Sequence, residues 1–358
     1  MQNTSLTAVN GLQVGHFTHD LRPTGCTVVL TPQGAVAGVD VRGAAPGTRE
    51  TDLLAPTNSV PHIHGLLLTG GSAYGLDAAT GVMQWLEERG HGIAVGPVRV
   101  PIVPAAVVFD LSVNDFAKHP AGSRTRPDAQ AGYQACVNAS TSPVAQGNVG
   151  AGAGATVGKL NGPLCAMKGG VGSAALKVQG ITVAALVVCN ALGDIVHPLT
   201  GELLAGARQS PDSLELLDIR HAQLSGHTLT NVPLGSNTTI GVIATDAPLS
   251  ALSLRHLARR AALGIGRGGT PGGQSSGDIF LGFSTAPPDA RPDPASHLLE
   301  RKEWDAEAVD PFYLAGVEAV EEAVINAIVA GEDTVAVKPE GLVVKGIDRA
   351  ALSALFRA

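Results

Sequence analysis

The sequence predicts a layered α+β fold, and three observations carry that expectation. Within Ile240-Gly241-Val242-Ile243-Ala244, Ile240, Val242 and Ala244 share one face and Ile243 takes the other. Both faces are apolar, as in a sheet covered on each side. Three strongly apolar helical patterns lie far apart in the chain with β-rich runs between them, which fits stacked layers better than an alternating βαβ series. Forty-five glycines against 3% aromatic residues point to close backbone packing by small side chains. At 358 residues there is room for one large domain or two ordinary ones, and a chain of this size buries roughly three quarters of its unfolded surface without staples.

Taken in order, residues 26–30 and 35–39 are β-rich runs separated by Pro32 and Gly34, which predicts a hairpin. Residues 41–58 are polar and rich in Gly and Pro, so a loop is expected; 65–69 form a strand running into Gly70-Gly71-Ser72. Ser72 stands where an N-cap belongs, because Leu76, Ala79, Met83 and Leu86 follow at helical spacing and Gly90 supplies a stop. The helix is expected over about 73–89. Residues 100–111 are β-like but interrupted by Pro101 and Pro104, and a helix is expected around 129–138. A Gly/Ala tract, 146–159, precedes β-runs around 174–178 and 181–188, and 211–232 read as a surface excursion. After the strand at 240–244, residues 250–262 form a helix with Leu252, Leu257 and Ala261 inward and Arg255, Arg259 and Arg260 opposite. A Gly-rich loop, 264–277, leads to a strand at 278–283, and 287–300 is a Pro/Asp-rich loop. Residues 311–330 form a helix with Leu314, Val317, Val320, Val324 and Ile328 along its apolar face.

Composition excludes several classes. A net charge of −7 with no Lys/Arg cluster argues against a nucleic-acid partner. The longest apolar run, 181–188, is far short of a membrane span, and the first residues lack the basic and apolar regions of a secretory leader. Cys26, Cys136, Cys165 and Cys189 form no Cys-x-x-Cys pair and are expected as buried thiols of a reducing compartment. A cytoplasmic protein is expected. Only 15% of residues are charged, so much of the surface is neutral, which favours a homo-oligomer.

Most local motifs fail on context. The tract ending in Gly158-Lys159 lacks the first Gly and the final Ser/Thr of a phosphate loop. Gly264-Ile265-Gly266-Arg267-Gly268-Gly269 matches a dinucleotide pattern but follows a helix where a strand is required. Gly273-Gln274-Ser275-Ser276-Gly277 matches a nucleophile elbow, yet it leads from loop to strand. Ser275 with His297 stays the runner-up, a serine hydrolase. His62-Ile63-His64 could turn two imidazoles to one face, but no third metal ligand follows at a useful spacing, so hydrogen-bonded histidines are expected.

Ser236-Asn237-Thr238-Thr239 is a polar turn entering the doubly apolar strand. Cutting the Asn237–Thr238 peptide would give Thr238 both a hydroxyl nucleophile and a free α-amine. That amine has an ordinary pKa of about 7.7–8, so roughly a tenth is free base near neutrality, where a lysine would need a drop of two to three units.

Four stretches in this order extend the signal along the chain. They are Thr69-Gly70-Gly71-Ser72-Ala73-Tyr74-Gly75-Leu76; Asn190-Ala191-Leu192-Gly193-Asp194; Asn237-Thr238-Thr239-Ile240 with Ala244-Thr245-Asp246-Ala247; and Ser276-Gly277-Asp278-Ile279-Phe280. With them the chain resembles the self-processing L-aminopeptidase/D-amidase-esterase family, which includes the β-peptidyl aminopeptidases and nylon-oligomer hydrolases. The resemblance implies a four-layer αββα sandwich akin to the N-terminal-nucleophile hydrolases, one domain over 1–358 cut into 1–237 and 238–358. It implies Thr238 as nucleophile, Asn190 as oxyanion donor, and Lys159 as a cation beside the Thr238 amine. Ser276 and Asp278 would orient the Thr238 hydroxyl and amine. The Asn-Thr pair is closer to the nylon-oligomer hydrolases, although that branch is acidic at the Ser276 position. Phe109 stands where the family often has Tyr, and Val107 where aminopeptidase members have an acid that grips a free amine; Tyr74 is a further pocket candidate. The resemblance also implies a small peptide or amide substrate, no cofactor, and a tetramer of αβ units or larger. An acyltransferase of similar fold, or an inactive relative that only binds peptides, would also fit these motifs.

Overall fold

The computed structural model describes residues 3–60, 62–111, 125–225, 237–287, 297–336 and 342–349. Ser236 and parts of two expected loops, 226–232 and 288–296, lie outside the described residues. Nine strands form one hydrogen-bonded network: β1 (Gln13–Thr18), β2 (Gly25–Val41), β3 (Thr48–Arg49), β4 (His62–Thr69), β5 (Ala105–Val107), β6 (Gly170–Val178), β7 (Ile181–Asn190), β8 (Thr238–Thr245) and β9 (Ile279–Ser284). Their order is β6-β7-β8-β9-β2-β4-β5-β3, with β1 also paired to β2. The longer helices are α1 (Ala78–Glu87), α2 (Ala129–Val137), α3 (Ala251–Arg267) and α4 (Asp310–Val329).

Where a hairpin was expected over 26–39, the structure has the single 17-residue strand β2. Both of its halves pair antiparallel with β4, and the register slips between Leu30 and Ala35. Pro32 and Gly34 (φ +86°) fall in that slip. A residue without an N–H and one at ease with positive φ make a bulge here, not a chain reversal. Beyond the bulge β2 changes neighbours. Its first half pairs with β1 on the side away from β4, and residues 36–41 pair antiparallel with β9. One strand therefore belongs to two sheets.

Three apolar cores separate four layers. Val29, Leu66 and Leu68 meet Ile240, Val242 and Leu281 between the sheets. Ile243, Phe280 and Val187 face Leu257, Phe312, Val320 and Val324 of α3 and α4. Cys26, Val28, Leu30 and Leu67 face Ala79, Val82, Leu86 and Ala135 of α1 and α2. The expected αββα sandwich is present, and β8 divides its side chains between two cores as its sequence requires. Each fully buried Ile, Leu or Val contributes about 1.5–3 kcal/mol, so the double burial of β8 fixes the strand that carries Thr238.

Several local expectations need correction. Ser72 is not an N-cap: it has φ +53° after Gly71 at +82°, and its N–H donates to the Val108 carbonyl at 3.0 Å. That bond ties the turn to the chain leaving β5, so Ser72–Asp77 wind as a 3₁₀ segment and α1 starts only at Ala78. In α3 Leu252 is 51% exposed and Leu254 is buried in its place. The Ser250 hydroxyl accepts the Ser253 N–H at 3.3 Å, and this cap sets the helix phase. Helix α3 also runs to Arg267, through the expected loop, because Gly264 lets it approach α4; a Cβ there would lie 2.7 Å from the Val317 carbonyl. The first of the dinucleotide-like glycines is thus a packing glycine. Leu314 of α4 is 57% exposed and lines a surface groove of about 630 Å³ with Leu263, Tyr313 and Val317. All four cysteines are buried free thiols. Among the described residues no helix is long and apolar enough to cross a membrane.

Candidate active site

Strand register assembles the site. β7 and β8 are antiparallel, and their last pair sets Asn190 opposite Thr238. β8 and β9 are parallel, and a bridge between Asn237 and Ser276 extends their pairing beyond the strands. The family-like stretches around 190, 237 and 276 therefore converge at one end of the sheet.

Asn190 is fully buried. Its Oδ1 accepts the Thr156 N–H at 3.0 Å and the Lys159 Nζ at 2.9 Å, while its Nδ2 donates to the Phe109 carbonyl at 3.2 Å. A carboxamide nitrogen carries two hydrogens, so a second donor is left after the Phe109 bond. The orientation of the amide is fixed by all three partners.

Lys159 spends its ammonium on neutral oxygens: the Thr156 carbonyl at 2.9 Å, the Asn190 carbonyl at 3.0 Å and Asn190 Oδ1. Burial without a carboxylate pulls its pKa from 10.5 down to about 7. Its ammonium thus gives up its proton far more readily than an exposed lysine would. Gly158 permits the turn with φ +69°, and the Lys159 N–H donates to the Leu192 carbonyl at 2.8 Å. The stretch after Asn190 therefore holds the lysine in place.

The Thr238 hydroxyl donates to the Asn237 carbonyl, which also receives the Gly277 N–H at 3.3 Å. A Cβ on Gly277 would lie 2.6 Å from the Ala45 carbonyl and 3.0 Å from Thr238 Oγ1, so glycine allows this approach. Asp278 Oδ1 accepts the Thr239 N–H at 2.7 Å. Burial pushes the Asp278 carboxyl upward, and bonds from Ser276 and the Thr239 N–H hold it partly back. The Ser276–Asp278 turn is clamped by the Ala45 N–H on the Ser276 carbonyl at 2.9 Å and the Arg42 N–H on the Asp278 carbonyl at 2.9 Å.

Of the pocket candidates, Phe109 reaches the site through its carbonyl. Val107 is buried in β5 and packs on Gly47. Tyr74 is 59% exposed, with the Arg126 guanidinium 3.5 Å above its ring. The Ser275 hydroxyl donates to Asn237 Oδ1 at 3.1 Å, in a loop that enters β9. His64 is hydrogen-bonded as expected, taking the Ile102 N–H at 3.3 Å, and burial drops its pKa to about 4. Among the described residues no group of three or more His, Cys, Asp or Glu could hold a metal.

Sequence reasoning gave no role to four neighbours: Gly277, Thr156, Asp110 and Lys168. The first two act through backbone N–H groups, which leave no trace in residue type. Asp110 and Lys168 did leave one, an isolated charge directly after an apolar run.

Residues 4–340 match the description Peptidase family S58. The chain belongs to that family. It is 44% identical over 298 residues, 80% of each chain, to an uncharacterized aminopeptidase of Mycobacterium leprae. It is 30% identical over 267 residues to a 6-aminohexanoate-oligomer endohydrolase of Kocuria sp., covering 73% of this chain and 69% of the relative. The solved L-aminopeptidase D-Ala-esterase/amidase of Ochrobactrum anthropi, described as a variant of the Ntn hydrolase fold, superposes with a TM-score of 0.73 at 26% identity. That match spans 99% of this chain and 94% of the other. As a family S58 member with this fold, the chain is a peptidase or amidase.

Proposed function

We propose that this S58 member cuts its own Asn237–Thr238 peptide bond and then uses Thr238 as an N-terminal nucleophile on amide or ester bonds. One observation carries the proposal: the Thr238 hydroxyl and the Gly277 N–H converge on the Asn237 carbonyl, directly across the sheet from Asn190. In the first step Thr238 Oγ1 adds to the Asn237 carbonyl carbon, and the Gly277 N–H takes the developing negative oxygen. The C–N bond breaks, the hydroxyl proton goes to the departing nitrogen, and water hydrolyses the resulting ester. The products are the Asn237 carboxylate and a free Thr238 amine.

In turnover that amine accepts the hydroxyl proton as Oγ1 attacks the substrate carbonyl. The second Asn190 amide hydrogen supports the oxyanion, a contribution typically worth 10²–10³ in rate. The substrate nitrogen leaves with the proton, and water releases the acyl group from Thr238. Lys159, still partly charged near pH 7, favours the neutral amine; Asp278 and Ser276 fix the start of β8. The scheme draws on neither metal nor organic cofactor.

The substrate class is short peptides or ω-amino-acid oligomers. Val107 and Phe109 offer no charge to a free substrate amine, which favours internal amide bonds, and the Kocuria relative is named for endo-cleavage of such oligomers. The low charge content supports assembly into a homo-oligomer, and the family resemblance implies a tetramer of αβ units or larger. Denaturing mass spectrometry of fresh protein tests the first step, with fragments 1–237 and 238–358 expected. Thr238→Ala should stay whole and lose activity at least 10³-fold on a panel of amino-acid p-nitroanilides, β-peptides and ω-amino-acid oligomers. Ser275→Ala should cut itself and keep most activity; the opposite pattern would move the nucleophile to Ser275.

A further inference from the structure

Asp110 is fully buried one residue after Phe109, whose carbonyl orients the Asn190 amide. Its carboxylate joins chain segments that are distant in sequence. Oδ2 accepts the Thr24 hydroxyl at 2.6 Å, and Oδ1 accepts the Gly71 N–H at 2.8 Å. Two glycines exist in the form this seat requires. A Cβ on Gly70 would lie 2.1 Å from Asp110 Oδ2, and one on Gly154 would lie 2.6 Å from the Asp110 Cβ. Gly70, and Gly154 in the Gly/Ala tract, thus leave bare backbone on two sides of this carboxylate, Gly154 also facing the Pro23 carbonyl.

Beyond Gly154 the same tract delivers the Thr156 N–H to Asn190 Oδ1. Lys168 holds the tract from behind, donating to the Gly152 carbonyl at 2.7 Å and the Ala155 carbonyl at 2.9 Å. Two of the three bonds that aim the Asn190 amide therefore lead back to segments seated on Asp110.

We propose that Asp110 is the positioning residue of the oxyanion site, aiming the Asn190 amide through the Phe109 carbonyl on one side and the Gly154–Thr156 tract on the other. The proposal rests on the Thr238 mechanism above and adds the group that sets its donor geometry. Asp110 touches no reacting atom, so its removal lowers kcat and spares KM. Burial raises its carboxyl to about 6, with the Lys168 ammonium the charged group facing it and holding it down. Below that pH a protonated carboxyl has lost one of the two acceptors the clamp uses.

The test uses full-length, self-processed protein and whichever member of the substrate panel above the wild type hydrolyses fastest. Asp110→Ala is expected to lower kcat 10- to 100-fold with KM within about twofold. Asp110→Asn keeps two hydrogen-bonding atoms but cannot titrate, so it should lose less. In the wild type, protonation of Asp110 below about pH 6 should add to the decline set by the Thr238 amine a step in kcat about as large as the Asp110→Asn loss; Asp110→Asn should lack that step. A folded Asp110→Ala with kcat within twofold of wild type, or the same step kept in Asp110→Asn, overturns the proposal. If Asp110→Ala does not fold, the pH profile of Asp110→Asn decides alone. Failure of the Thr238 mechanism would look different, since wild-type protein would then show no cut at Asn237–Thr238.

Discussion

Lys159 and Lys168 are buried to the same degree, each bonded to three neutral oxygens and each pulled to about 7 by desolvation. Their surroundings differ in the Asp110 carboxylate, which acts on Lys168, and in the kind of oxygen that each ammonium meets. One of the oxygens on Lys159 is the side chain of Asn190, whereas Lys168 meets only main-chain carbonyls, those of Gly152, Ala155 and Gly169. Desolvation alone therefore does not mark a catalytic lysine. What distinguishes the two is the partner: the proposed oxyanion donor for Lys159, a loop that must be held for Lys168.

The largest effect that could break this contrast is on catalysis. Lys159→Met is expected to slow self-cleavage and to lower kcat about 100-fold, with a loss of stability like that of Lys168→Met because it too strands three buried oxygens. Assays of fragment formation and turnover with calorimetry would check both. Lys168→Met comes next, with its effect on stability and little on turnover. It strands three carbonyls and should cost roughly 2–5 kcal/mol in a urea titration, while the protein that remains folded keeps kcat within tenfold. If Lys168→Met lost turnover and kept its stability, the distinction between the two lysines would be wrong.

The smallest effect is shared by both residues and concerns pH. Each lysine has a folded pKa near 7 against 10.5 unfolded, so between those values the unfolded chain binds more protons and stability rises with pH. The carboxyls of Asp110 and Asp194, raised to about 6, act in the opposite direction but complete their change below that pH. The buried thiols of Cys136 and Cys189, pushed up to about 12 and about 11, lower stability only above their ordinary value of 9. Among the buried groups named, the window from pH 7 to 9 thus belongs to the lysines. A gain in stability is expected there from denaturant midpoints of uncut Thr238→Ala protein, which has no Thr238 amine, and adding Lys159→Met and Lys168→Met should flatten it.

The sequence carried much of this arrangement and hid a definable part. β8 was legible because two opposed apolar faces leave a strand one place to go, and Asn190, Thr238 and Asp278 were legible as polar groups at strand mouths. Their meeting was not, since the register that sets Asn190 opposite Thr238 depends on pairing across 48 residues of chain. β2 was misjudged because Pro and Gly mark a bulge as readily as a turn, and the neighbour strand decides between them. Leu252 and Leu314 were misplaced for a related reason. α4 is apolar almost all round, and in α3 the Ser250 cap fixes a phase that periodicity leaves open. The donors on the Asn237 and Asn190 oxygens from Gly277 and Thr156 are peptide N–H groups, common to nearly every residue type.

The sheet order β7-β8-β9-β2 has a mechanical outcome. Within this network the two strands from Thr238 onward are flanked by strands that precede it, like two cards slid into the middle of a deck. Scission at Asn237–Thr238 would break a covalent link without opening any seam, because the later piece is gripped along both edges by the earlier one. The molecule could thus gain a new amino terminus deep in its interior and keep its shape.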